Sequence, residues 1–106
     1  MKNINHKNKI LYYIYMVYTY KQRFNKKHGQ PLNQSNSLED ISKLSGYKLS
    51  GIKTIFSKGK GAYKSSPQSI RPNVKSPEQW AYARVYASVN PDSKSHKVDK
   101  THLKKK

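Results

Sequence analysis

The sequence predicts a small all-α domain of three helices, preceded by a tyrosine-rich segment and flanked by basic tails. Apolar residues recur every three or four positions in two stretches, and each stretch opens with a helix-start signal. The chain has 106 residues, of which 34% are hydrophobic, so a core can form only in those stretches. We therefore place the helical domain at 37–90, between an N-terminal segment with a linker at 1–36 and a disordered basic tail at 91–106.

The N-terminal segment, Ile10 to Tyr20, reads ILYYIYMVYTY. Its periodicity fits a helix or a strand, and its length favours a helix. It is shorter than the roughly 20 apolar residues that cross a membrane, and Lys21 and Arg23 follow where a secretion signal would have a cleavage site of small residues. Packing or self-association is the expected role, and an anchor at a membrane surface is the less favoured alternative.

Two helices are predicted after the linker NKKHGQPLNQSN, in which Gly29 and Pro31 interrupt regular structure. Ser37 is a good N-cap for a helix that ends at Gly46, and a second helix runs from Leu49 or Ser50 to Ser57. The positions expected to be buried in these two helices are Ile41, Leu44, Ile52, Ile55 and Phe56.

The stretch LEDISKLSGYKLSGIKTIF resembles the helix-turn-helix of bacterial repressors. Small Ser42 suits a close helix crossing, Gly46 suits the turn, and apolar residues anchor the second helix. An ordinary helical hairpin fits the same pattern and remains the alternative. Gly51 departs from the pattern, since glycine inside a helix costs about 1 kcal/mol relative to alanine. A helix weakened there would need tertiary support, or it would approach another backbone closely. The outward residues of the second helix would be Lys48, Ser50, Lys53, Thr54 and Ser57.

A basic loop is predicted next, because Gly59, Gly61, Pro67 and Pro72 break regular structure. The glycines would let the backbone approach a polyanion, and the order of a Walker phosphate loop is absent. The cations of this loop that we expect to contact phosphates are Lys58, Lys60, Lys64 and Arg71.

The third helix begins with Ser76 as N-cap and Pro77 at its first position, and it ends before Asn90 and Pro91. Its expected buried residues include Trp80 and Val85. Arg84 lies in an otherwise apolar stretch. We expect a structural role for it, either stacking on Trp80 or donating hydrogen bonds to loop carbonyls.

The pieces ISKLSG, GKGAY, SPQSIRPNVKSPEQWAYARVYA and VDKTHL resemble a small domain family of uncharacterised function in large DNA viruses and bacteriophages. The resemblance spans residues 38–103. It implies a viral protein, located in an infected host cell or a virion, and it supplies no activity.

The net charge of +17 favours polyanionic partners, with nucleic acid first and DNA ahead of RNA. The predicted function is a small nucleic-acid-binding protein of helix-turn-helix type that contacts phosphates through the basic loop. The alternative is a minor virion structural or adaptor protein that binds protein partners through Ile10 to Tyr20. Five cations can distinguish these two functions: Lys48, Lys53, Lys58, Lys64 and Arg71. If they share one face, nucleic-acid binding is favoured, and if they are scattered, the structural role is favoured.

Residues suited to catalysis or metal binding are scarce. The chain has no cysteine and five acids, three of which fall in the first turns of predicted helices. The four histidines, His6, His28, His96 and His102, show no ligand spacing with another donor. We therefore expect no enzyme activity, no cofactor and no metal.

Overall fold

The fold was analysed in a computed structural model, which describes residues 18–65 and 74–106. The described residues form five α-helices and a final turn of 3-10 helix (Lys100–His102), and they contain no strand. The expected all-α class is confirmed. In chain order the helices are α1 (Tyr20–Lys27), α2 (Leu38–Ser45), α3 (Leu49–Ser65), α4 (Pro77–Ser88) and α5 (Lys94–Asp99).

The chain divides into two compact units, Met1–Gln34 and Ser35–Lys106. In the first unit, Thr19 and Gln22 form a capping box that starts α1, and His28 ends it ahead of Gly29 at φ 69°. The prediction of a linker from residue 25 onwards is wrong for 25–27, which belong to this helix. The predicted segment Ile10 to Tyr20 lies outside the described residues except for its last three.

The second unit begins with α2, whose bounds agree with the prediction. The Ser37 hydroxyl accepts the amide hydrogen of Asp40 at 3.0 Å, and the Asp40 carboxylate accepts that of Ser37 at 3.2 Å. Gly46 ends the helix in the left-handed conformation, at φ 81°. Only residues 46–48 separate α2 from α3, a length that a helix-turn-helix and an ordinary helical hairpin share. Buried Ser42 donates its hydroxyl to the Tyr47 carbonyl at 2.6 Å and so holds this turn.

α3 is longer than predicted, and the expected loop is helical as far as Ser65. Glycine and lysine suggested a break at Lys58 and Gly59, but no proline enters the chain until Pro67. Packing against α4 supports the extra turns. Gly59 is buried there, and a Cβ at this position would lie 2.8 Å from the Cα of Ala81. Tertiary packing therefore outweighs the weak helix propensity of glycine.

The core of the second unit lies between α2, α3 and α4. Ile41, Ile52, Ile55 and Val85 are fully buried, as expected. Leu44, Phe56 and Trp80, predicted to be buried, are only partly so. The other buried apolar residues of this unit were not singled out by the apolar pattern. They are Tyr47, Ala81, Tyr86, Ala87, Val89 and Leu103.

The C-terminal stretch 91–106 differs from the disordered tail that was predicted. It forms α5 and the 3-10 turn, which pack on α4 and α3. The carboxylate of Asp99 is 1% exposed and accepts two hydrogen bonds from Arg84, at 3.1 and 2.8 Å. The Ser88 hydroxyl donates a third at 2.6 Å. Arg84 is thus structural, as expected, but its partner is this distant acid rather than Trp80 or a loop carbonyl.

Candidate nucleic-acid interface

The solvent side of α3 carries a row of lysines. Positions four, seven and eleven apart fall on one face of a helix, and this spacing relates Lys53, Ser57, Lys60 and Lys64. We call these four residues the lysine face. At a rise of about 1.5 Å per residue, the face is about 16 Å long. α3 contains no acid, so none of its own side chains neutralises the row.

The other predicted contact residues are distributed around this face. Lys58 is exposed, but at about 100° per residue it points at least 120° away from the three lysines of the lysine face. Lys48 is exposed in the turn before α3. Arg71 lies outside the described residues. The five cations whose shared face was to favour nucleic acid are therefore not all on one face: Lys53 and Lys64 share one, and Lys58 does not. The structure adds Lys60 to the face of Lys53 and Lys64.

Three small hydroxyl residues accompany the lysines on the exposed side of α3, Ser50, Thr54 and Ser57. The Thr54 hydroxyl donates to the Ser50 carbonyl at 3.0 Å, within the helix. Its oxygen keeps acceptor capacity toward an incoming donor such as a base amino group. Short side chains of this kind let the helix backbone approach a partner closely.

Lys60 is the most restrained of the three lysines. Its ammonium lies 3.8 Å from the carboxylate of Glu78 at the start of α4, and 5.8 Å from the ring centre of Phe56. Both partners of the ion pair are partly exposed, at 39% and 57% of their side-chain area. Water screens such a pair, which contributes little to stability and leaves Lys60 able to exchange Glu78 for another anion.

No aromatic residue lies on the lysine face. Phe56 and Tyr63, the two aromatic residues of α3, are partly buried, and Phe56 packs edge-on against Tyr82 with ring centres 4.9 Å apart. Single-stranded nucleic acid is usually held by bases that stack on exposed rings. The face offers positive charge and hydroxyl groups instead, which are the groups that contact a phosphate backbone.

Gly59 and Gly61, which were predicted to let the backbone approach a polyanion, have different surroundings in α3. Gly59 is covered by Ala81 of α4, whereas nothing lies within 4 Å of a Cβ built on Gly61. Gly51 is approached closely by the backbone of another part of the same chain. The carbonyl of His102 sits where the Cβ of any other residue would be.

The C-terminal lysines lie next to the predicted site, which the sequence did not reveal. The Lys48 amide donates to the Lys104 carbonyl at 2.8 Å, and the Lys106 amide donates to the Gly46 carbonyl at 3.0 Å. Tyr47 and Lys105 are paired between these bonds in antiparallel fashion. In the sequence, only Gly51, a glycine inside a predicted helix, indicated that another part of the chain would pack against the start of α3.

Other classes of site were sought in residues 18–65 and 74–106. Within them, no three histidine, aspartate or glutamate side chains are grouped as a metal would need. None of the helices there has the length and apolar character needed to cross a bilayer.

The sequence profile described as "Family of unknown function (DUF5824)" matches residues 5–105. No curated protein and no solved structure matches the chain. The matched range includes all five described helices and the C-terminal residues up to Lys105.

Proposed function

Since the chain belongs to the DUF5824 family of unknown function, whose description assigns no activity, we propose from its side chains that it is a viral nucleic-acid-binding protein. In this proposal the lysine face of α3 holds double-stranded DNA through its phosphates. The viral origin rests on the sequence resemblance to domains of large DNA viruses and bacteriophages.

The observation that carries the proposal is the row formed by Lys53, Lys60 and Lys64 on a helix without acids. A B-form duplex presents a charge about every 1.7 Å along its axis, and its major groove is about 12 Å wide. A helix of 17 residues with small hydroxyl groups between its lysines fits such a groove. The three-residue turn before α3 is typical of helices that read DNA in this way.

Duplex is favoured over single strands for two reasons. The lysine face carries no ring on which an unpaired base could stack. Its charges are also held in a straight row by one rigid helix, which suits a regular double helix better than a flexible strand. A-form RNA has a narrow major groove that side chains do not enter easily, so DNA is favoured over duplex RNA.

The test is fluorescence anisotropy of a labelled DNA duplex at several salt concentrations. Each phosphate contact contributes about −0.9 to the slope of log affinity against log salt. Replacing Lys53, Lys60 and Lys64 together by Gln should flatten that slope by about 2–3. The matched control replaces Lys94, Lys97 and Lys100 by Gln, which removes the same charge from α5 and the 3-10 turn, and the slope should stay that of the wild type.

A finer comparison uses two single variants of the same helix. Lys64→Gln should flatten the slope by about 1, whereas Lys58→Gln, on another side of α3, should leave it unchanged. Equal slopes for the wild type and the triple variant would remove the lysine face from nucleic-acid binding. The virion structural role would then become the better hypothesis.

A further inference from the structure

The last four residues of the chain, 103–106, form a segment that we call the C-terminal strap. It runs antiparallel to the turn between α2 and α3 and is joined to it by two backbone hydrogen bonds, Lys48 to Lys104 at 2.8 Å and Lys106 to Gly46 at 3.0 Å. Leu103 is buried, so the strap begins with an apolar anchor. The strap is a defined part of the fold.

The approach to the strap is also fixed. The carbonyl of His102 packs against Gly51, in the first turn of α3, where no larger residue would fit. Just before it, buried Asp99 is bound by Arg84 and Ser88 of α4. One contact just before the 3-10 turn, at Asp99, and one at its last residue, His102, thus hold the strap at the N-terminal end of α3.

The strap brings three more lysines to that end of α3. In an antiparallel pair joined in this way, facing side chains lie close together, and the ammonium of Lys105 is 4.2 Å from the ring centre of Tyr47. The next pair along, Lys48 and Lys104, lies on the opposite side of the pairing. All four of these lysines are exposed: Lys48, Lys104, Lys105 and Lys106.

Like charges on neighbouring residues repel one another, and this segment is held by its two backbone hydrogen bonds, by buried Leu103 and by the contact of Lys105 with Tyr47. A polyanion lying across them would remove that repulsion. The lysine face begins at Lys53, less than two helical turns from Lys48, so the strap lies at the end of α3 where the lysine face begins.

We infer that the C-terminal strap is a second element of the DNA-binding surface. In this inference Lys104 and Lys106, on the side of Lys48, and Lys105, on the side of Tyr47, contact phosphates of the duplex held by α3. This inference rests on the proposed function of the lysine face. It extends the surface from one helix to a helix and a strap, joined at Lys48.

The experiment compares four proteins in the anisotropy assay with labelled duplex DNA over a range of salt. They are the wild type, a strap variant with Lys104, Lys105 and Lys106 replaced by Gln, the lysine-face variant, and the control with Lys94, Lys97 and Lys100 replaced by Gln. The strap variant should flatten the salt slope by about 2–3 and the control should not. A further variant with three arginines in the strap keeps the charge and should restore the wild-type slope.

The strap variant is expected to fold, because side chains and not the backbone bonds are changed, and its thermal unfolding checks this. A wild-type slope for the strap variant, with a flattened slope for the lysine-face variant, would overturn this inference and leave the proposed function standing. Equal flattening in the strap variant and the control would also overturn it, since total charge would then explain both. A wild type without affinity for duplex DNA would overturn both proposals.

Discussion

At the scale of single residues, the contact between Arg84 and Asp99 decides how the C-terminal stretch is held. Arginine is well suited to this task because its planar group donates two parallel hydrogen bonds to one carboxylate. The sequence marked Arg84 as unusual, since it stands among apolar neighbours of α4. It could not indicate Asp99, because the acid lies 15 positions further on, in a stretch too polar to suggest packing.

We expect Asp99→Asn to destabilise the domain by about 2–4 kcal/mol. The substitution keeps the shape of the side chain but leaves the guanidinium of Arg84, partly withdrawn from water, without its counter-charge. Thermal or denaturant unfolding followed by circular dichroism measures the loss. The matched control is Asp92→Asn, at an exposed acid in the same stretch, which should change stability by less than about 0.5 kcal/mol. Equal losses for the two variants would show that burial of Asp99 has no special part in the fold.

At the scale of secondary structure, α3 combines three glycines that have different surroundings. Gly51 and Gly59 are needed because the chain itself passes close by, at His102 and at Ala81. Gly61 has no neighbour and gives the helix only a loss of intrinsic stability. In the sequence Gly51 stood apart, inside the predicted helix, but Gly59 could not be separated from Gly61, which is why a helix break was predicted at Gly59.

These surroundings predict opposite effects for one kind of substitution. Gly51→Ala should destabilise by about 1–3 kcal/mol, since the new methyl group meets the rigid carbonyl of His102. Gly61→Ala should stabilise by up to about 1 kcal/mol, because only helix propensity changes. Chemical denaturation of the two variants beside the wild type compares them directly. A gain in stability for Gly51→Ala would show that the 3-10 turn does not pack against α3 in solution.

At the scale of the whole molecule, features that depend on neighbouring residues could be predicted from the sequence, and features that depend on contacts between distant residues could not. The all-α class, the bounds of α2 and the start of α4 follow from capping residues and apolar spacing, which act within a few positions. The burial of Asp99 and the docking of 103–106 could not be predicted, because they depend on residues distant in the chain. In the same way, the spacing of Lys53, Lys60 and Lys64 was visible only once Gly59 proved to be helical.

Acid is expected to lower the stability of this protein, because its net charge is already +17 and repulsion among like charges disfavours the folded state. Burial alone would raise the pKa of Asp99, but hydrogen bonds from Arg84 and Ser88 and the charge of Arg84 outweigh it and hold the pKa below the ordinary value of 3.8. A carboxylate with a lowered pKa stabilises the fold fully above that ordinary value and loses this contribution as pH falls through its folded pKa. Thermal unfolding between pH 7 and pH 2 should therefore show the wild type losing its advantage over Asp99→Asn only below about pH 4. A gap that closes already at pH 6 would point to a histidine instead.

The pairing of Tyr47 with Lys105 joins positions far apart in the chain, and this has a consequence for the order of folding. Such contacts form late, because chain entropy must be lost before they are made. α2 and α3 are neighbours in sequence and can assemble early, so the strap docks onto a turn that already exists. The same reasoning predicts that the strap opens at a lower free energy than the α3–α4 interior. Part of the surface that we assign to DNA is thus expected to form after α2 and α3 have assembled, and to be released before the α3–α4 interior when the native state fluctuates.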